Sequence, residues 1–320
     1  MNRKILVAFL IFLILAIIAF MVNDLFNNSK TQIFPFETIN DSLIDLDTSL
    51  ISHREIAQLY PQIDEINGIT VNGEDDIIIV GSEVVIYNKL FEKIKSFKLE
   101  EPASSVGVSS IGNLYIGVKN RIEVRNKNGQ LIKKWNVGDT NSIITGIAVG
   151  KESVFVADVE HKIVLQFNME GVLINKIGAK DSLKAIPGII IRSPFFDVAI
   201  GRDDEIWISN PGRYMLEAFD LNGDIKYTWG KYSNKIEDFG GCCNPTNFTV
   251  LRDGSFITGE KALPRVKMYS PDGRFMSIIA ASNQFDKGTK GLDVAVDSKS
   301  RIYILDDVRK QIRVFEKKNN

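Results

Sequence analysis

The only two cysteines of the chain are adjacent, Cys242 and Cys243, inside the string GGCCNPT at 240–246. Adjacent α-carbons lie about 3.8 Å apart, below the usual span of a disulfide. A bond between the pair therefore closes a strained ring that is comparatively easy to reduce. Three chemistries are open to it: a rigid turn, a vicinal disulfide presenting an apolar platform to a ligand, or a redox-active or soft-metal dithiol. The last would need a third ligand, and neither His53 nor His161 is near in sequence. Two further strings combine charge with turn residues. GEKALPR (259–265) holds Glu260, Lys261 and Arg265, and SNPGRY (209–214) holds Asn210 and Arg213. With Asn244, these side chains suit a polar ring that orients an anionic or carbonyl ligand. The alternative is an internal ion pair or a set of solvated loop charges. Asn210, Asn244, Glu260 and Asp306 also offer oxygen atoms to a hard cation, without a diagnostic spacing. With two histidines a three-histidine metal centre is impossible. No catalytic set is complete, and neither a metal nor a cofactor is expected.

Such residues need a frame, and the frame is a repeat. From 193 to 230 the chain runs through four apolar-alternating stretches, DVAIG, EIWIS, MLEAFD and DIKYTWG, separated by polar turns. Alternation at period two buries one face of a strand, and Asn222-Gly223 is a strong hairpin signal. The first stretch recurs as GITV, VGVS, GIAV, DVAI, NFTV and DVAV, with third apolar positions at Val71, Val108, Val149, Ile200, Val250 and Val296. Spacings of roughly 40 to 50 residues with four strands each signal propeller blades. Fourth strands are expected from Phe91, Gln130, Val172, Asp224 and Arg274. The sixth copy lacks one, because the chain stops shortly after Phe315. An open blade edge invites aggregation, and HREIAQLY at 53–60, just before the first copy, is the natural strand to close it.

The run VFVAD, HKIVLQF, Gly turn and a strand ending KIG resembles an NHL repeat, best carried by Asp158, His161 and Lys162 and by Asp306 and Arg309. The likeness covers 66–315; copies one and two depart from it at Gly81 and Val118. It implies a six-bladed, all-β propeller of four-stranded antiparallel blades, a fold used mostly by binding scaffolds and by a few enzymes. Repetition of the aspartate implies a structural part for Asp158, Asp306 and His161.

In a blade numbered outward, the second-to-third loops share a face with the connections between blades. Every long insertion falls on that face, the largest being 178–193 and 230–242, together with the cysteine pair and both charged strings. Loops longer than their connection requires are where binding residues concentrate. The cysteines are expected at the mouth of the central channel, facing Asn210, Arg213, Glu260 and Lys261.

Arg3 and Lys4 precede an unbroken apolar run at 5–22. Eighteen residues span roughly 27 Å of helix, near the hydrocarbon thickness of a bilayer, and no good small-x-small cleavage site follows. The reading is a signal anchor with 1–4 in the cytoplasm, a polar stalk over 23–52, and a propeller over 53–318 outside the cell membrane. A cleaved signal is the alternative. The 39 basic and 40 acidic side chains leave the chain nearly neutral, which gives no support to a nucleic-acid partner. The function expected is an anchored scaffold that binds a small molecule or an envelope protein segment on its loop-rich face. The alternatives are a lyase- or hydrolase-type enzyme, a thiol–disulfide redox protein using Cys242 and Cys243, and a structural module of an envelope complex.

Overall fold

The computed structural model describes residues 47–318. The expected anchor at 5–22 and most of the stalk lie outside the described residues. Among the described residues no helix is long and apolar enough to cross a membrane.

Six antiparallel sheets of four strands each make up the fold. Blade one occupies 66–98, blade two 105–136, blade three 144–177, blade four 198–229 and blade five 247–280. Blade six takes three strands from 293–317 and its outermost from His53–Leu59, which we label β1. β1 pairs with the chain's last strand, Gln311–Lys317, in the register His53 to Lys317 and Leu59 to Ile312. Arg313 reinforces the seam: its guanidinium donates to Glu55 of β1 at 2.5 and 3.1 Å and to the Gln284 carbonyl at 2.8 Å. Residues 48–52, which the sequence assigns to the stalk, also lie against the propeller. Ile51 bridges to Ile278 of blade five, and the Ser52 carbonyl accepts from the Lys318 N–H.

No blade has its own core. The six buried apolar clusters each sit between two neighbouring blades, so the sheets stabilise one another around a ring. Between blades one and two the cluster is aliphatic, with Ile78, Val80, Ile116 and Val118 at its centre. Between blades four and five it is aromatic, built from Trp207, Phe239, Phe248, Phe256 and Tyr269.

The fourth strands begin slightly later than their alternation suggests, at Lys93, Leu131, Leu173, Ile225 and Phe275. The reason is local. In blades one to four an Asn or Asp at the end of the third strand turns its side-chain oxygen onto two backbone N–H groups ahead of it. Asn126 does so to Asn128 and Gln130, and Asp220 to Asn222 and Asp224. That closed turn takes up the residues at which a strand would otherwise start.

Candidate functional site

The two longest connections between blades, 178–197 and 230–246, enter blades four and five side by side on the loop-rich face. Backbone in such segments must find partners, and here buried side chains supply them. In blade four, Asn210 ends the second strand with no exposure at all. Its Oδ1 accepts from the Ile190 N–H at 2.9 Å, and its Nδ2 donates to the Gly188 carbonyl and, at 3.1 Å, to Glu217. Arg213 pairs with the other oxygen of Glu217 at 3.0 Å. Burial raises the Glu217 carboxyl above its ordinary range, against the pull of Asn210 and Arg213.

Blade five uses the same strand position for Glu260, which is equally buried. One of its oxygens takes the Arg265 guanidinium at 2.9–3.0 Å and the other the Lys267 ammonium at 2.6 Å. Lys267 is fully enclosed, and its ammonium also donates to the carbonyls of Ile236 and Asp238, at 2.9 and 2.8 Å. The rings of Phe239 and Tyr269 close over it at 5.2 Å. Burial lowers the Lys267 pKa to about 8, partly opposed by Glu260. Glu260 and Arg265 thus form the internal ion pair weighed in the sequence rather than a ring open to solvent, and they hold the 230–246 segment from beneath.

Asn244 clamps the cysteine string. Its amide donates to the carbonyls of Gly240 and Lys261 and accepts from the Lys261 N–H, and it is fully buried. With Asn210, Asn244 and Glu260 each committed to a separate network of protein partners, the four oxygen-bearing residues do not converge as a cation site. Among the described residues no group of three or more His, Cys, Asp or Glu side chains is arranged to hold a metal.

Cys242 is partly exposed and Cys243 buried, their sulfurs 3.1 Å apart as free thiols. Burial and the neighbouring sulfur push the Cys243 thiol up to about 11, with Lys261 and Arg192 drawing it back. Beside them stands Tyr214, whose hydroxyl the Cys243 backbone N–H favours in its ionised form against the pull of burial, and its ring lies 4.9 Å from that of the half-exposed Tyr232. Lys261 extends the other way, its ammonium 5.5 Å above the Phe195 ring.

Phe195 marks the mouth of the central channel. A recess of about 280 Å³ opens there, lined by Asn67, Ser104, Thr145, Phe195 and Asn247 among others. The cysteines are not among its lining residues. They sit outside it, joined to the rim through Lys261. Below the mouth, the channel proper, about 310 Å³, carries Asp197 and Asp293. Each carboxylate accepts the N–H of its own next residue and one from an inner strand of another blade: Phe248 for Asp197, Ile69 for Asp293. Burial raises both, Asp293 to about 6, and the charge of Asp293 raises Asp197 further. Gly146 leaves the space Asp197 fills, since a Cβ there would stand 2.5 Å from its oxygen.

Neither histidine lines the mouth. His53 is buried under the ring closure, with burial lowering its pKa to about 4. His161 pairs with Asp158 at 2.8 Å and Asp139 at 3.2 Å, which raise its pKa. Asp158 accepts backbone N–H groups of Ile143 and His161, and Asp306 that of Arg309, so both brace loops. Sequence reasoning missed Glu217, Lys267, Tyr214 and Phe195, and it missed the channel aspartates. A signal for the latter was present: blades four and six share the string Asp-Val-Ala at one register, 197–199 and 293–295.

No family model and no curated protein sequence matches the chain. Solved structures do. A streptogramin B lyase structure aligns with a TM-score of 0.58 at 10% identity, over 83% of this chain and 98% of that one. Virginiamycin B lyase from Staphylococcus aureus aligns at 0.56 and 14%, over 82% and 98%. A protein of unknown function from Bacteroides thetaiotaomicron aligns at 0.57 and 14%, over 82% and 71%. Identities this low establish the six-bladed fold and nothing finer.

Proposed function

We propose that this chain is a membrane-anchored, extracytoplasmic propeller of NHL type whose loop-rich face binds a small molecule or a protein segment. The observation that carries the reading is the effort spent beneath the two long loops. A fully buried lysine, an ion pair and a buried Asn–Glu contact hold the backbone of 178–197 and 230–246 in place. Burying such groups is unfavourable unless they are well paired, so they are poor stabilisers and good positioners. Loops already ordered lose less entropy when a ligand arrives. The surface so presented combines Tyr214, Tyr232, Cys242 and Lys261 with the recess at Phe195 and Asn247. In an oxidising compartment the cysteine pair would close to a disulfide and stiffen the same surface.

The test is native mass spectrometry of the full chain in detergent, followed by a thermal-shift screen of any compound found. A bound compound should raise the melting temperature of the wild type. Lys261→Ala and Tyr232→Ala should lose that shift, while Ile111→Ala on the tight-turn face keeps it. Retention of the shift in both loop variants would remove the assignment.

A further inference from the structure

The propeller's rim is electrically lopsided, and one sector of it joins charge to exposed aliphatic side chains. In blades one and two the third-to-fourth turns and fourth strands, 88–98 and 126–136, contain seven lysines and a single acid, Glu92. The same segments of blades four and five, 220–229 and 270–280, contain three acids and two bases. A chain with a formal net charge of −1 thus gathers an excess of six positive charges on one sector. Ile94, Leu131 and Ile132 stand among those lysines at 53, 47 and 55% exposure, and Leu90 at the adjoining turn at 70%. Lys93, Lys98, Lys127, Lys133 and Lys134 are exposed as well. The Lys95 ammonium donates to the Lys127 carbonyl at 2.7 Å, so the two blade rims form one continuous surface. Two acids of these blades, Glu101 and Glu123, are taken by Lys119, Arg121 and Arg125, while Glu83 stands opposite Lys98.

A solvated charged face has no use for four large aliphatic groups in water, and an apolar protein contact has none for seven like charges. The combination fits a surface that is negative outside and apolar just beneath. We infer that the rim of blades one and two docks on an anionic phospholipid bilayer, its lysines at the headgroups and Ile94, Leu131 and Ile132 at the acyl boundary. The inference rests on the anchored reading given above, which brings the propeller within reach of a bilayer. Neighbouring rims of a six-bladed ring differ by a sixth of a turn, so a flat membrane set across the seam between them meets both. Docked on that side, the propeller leaves the opposite sector, with the two long loops, turned away from the lipid.

Lysine acylation of the full chain in nanodiscs, read by mass spectrometry, tests it. Acylation of Lys93, Lys98 and Lys134 should be about threefold lower in phosphatidylglycerol discs than in phosphatidylcholine discs, and 1 M salt should restore it. Lys226 and Lys287 should react equally in both. Glu at positions 93, 98 and 134 together (K93E, K98E, K134E) should abolish protection of Lys127 and leave the melting temperature unchanged. Equal acylation in the two discs overturns the proposal. Protection in both discs and in detergent overturns it too, since protein would then cover the rim. Escape of the chain from phosphatidylcholine discs, with retention on phosphatidylglycerol discs, would instead defeat the anchor and leave the rim contact standing.

Discussion

Blades one and two and blades four and five are built on the same four strands, yet they end them differently. The last position of the second strand is Gly81 and Val118 in the first pair, Asn210 and Glu260 in the second. Gly81 has no room for more, because a Cβ there would meet the Glu65 carbonyl oxygen at 1.9 Å, and Val118 is simply buried in an aliphatic interface. Only 99–104 connects blades one and two, and so short a segment leaves little backbone to satisfy. Blades four and five are joined by 230–246, which brings Phe239 into an aromatic core and leaves carbonyls that Lys267 and Arg265 must meet. One strand position thus serves as filler where a connection is short and as an anchor where it is long. The proposed binding face rests on that choice, and the lysine-rich rim falls in the opposite sector.

The largest effect should erase the distinction. Closure by β1 holds the whole ring, so both sectors should fail together when it is removed. A chain starting at Pro61 is expected to lose cooperative unfolding by circular dichroism, while one starting at Asp47 retains it. A stable monomer from Pro61 would mean that blade six needs no outer strand.

A smaller effect should separate the sectors. Lys267→Met removes the donor to Ile236 and Asp238 and leaves the Glu260–Arg265 pair. It should cost about 3 kcal/mol, mostly from carbonyls stranded under the loop. Hydrogen exchange should quicken in 231–239 and remain unchanged in 99–104; uniform quickening would contradict a local anchor. The same residue sets a pH signature. Its folded pKa of about 8 lies below the unfolded value of 10.5, so the unfolded chain holds more protons between those values. Wild-type stability should therefore rise with pH across pH 8–10, by up to about 2 kcal/mol relative to Lys267→Met. A difference that stays flat over that window would show that Glu260 and the two carbonyls fully offset burial and keep the lysine charged up to its ordinary pKa.

Much of this frame was legible in the chain because it is written locally. Alternating stretches such as EIWIS and IYILD, and turns such as LNGD, depend on neighbours a few residues away. The strand HREIAQLY was recognisable only because five copies had a fourth strand and the sixth did not. The anchors were not legible for the opposite reason. Lys267 lies at the middle of a strand where charge is unexpected, and its partners stand 29 and 31 residues back on an insertion with no period. Glu260 and Arg265 were visible as a charged pair, but nothing in GEKALPR says whether they face a ligand or each other. Phe195, two residues before the repeated string that starts at Asp197, read as part of an ordinary apolar approach.

The smallest effect on the framework belongs to Cys242 and Cys243, and it is the sharpest test of what the long-loop sector is for. Asn244, rather than sulfur, fixes the string, by three hydrogen bonds to Gly240 and Lys261. A bond between adjacent residues removes almost no freedom from the unfolded chain, so its stabilising effect is small. Replacing both by serine should accordingly shift stability by less than about 1 kcal/mol and leave exchange in 231–239 unchanged. Ligand binding at Tyr214 and Lys261 should weaken, because both side chains share the charge environment of the pair. Alkylation of the wild type under denaturing conditions reads the pair directly. Protein isolated aerobically from the envelope should take no label until reduced, and two labels without reduction would end the disulfide. If the double serine chain fails to fold, the pair belongs with Gly81 and Val118 as framework, and the contrast between the two sectors loses its chemical part.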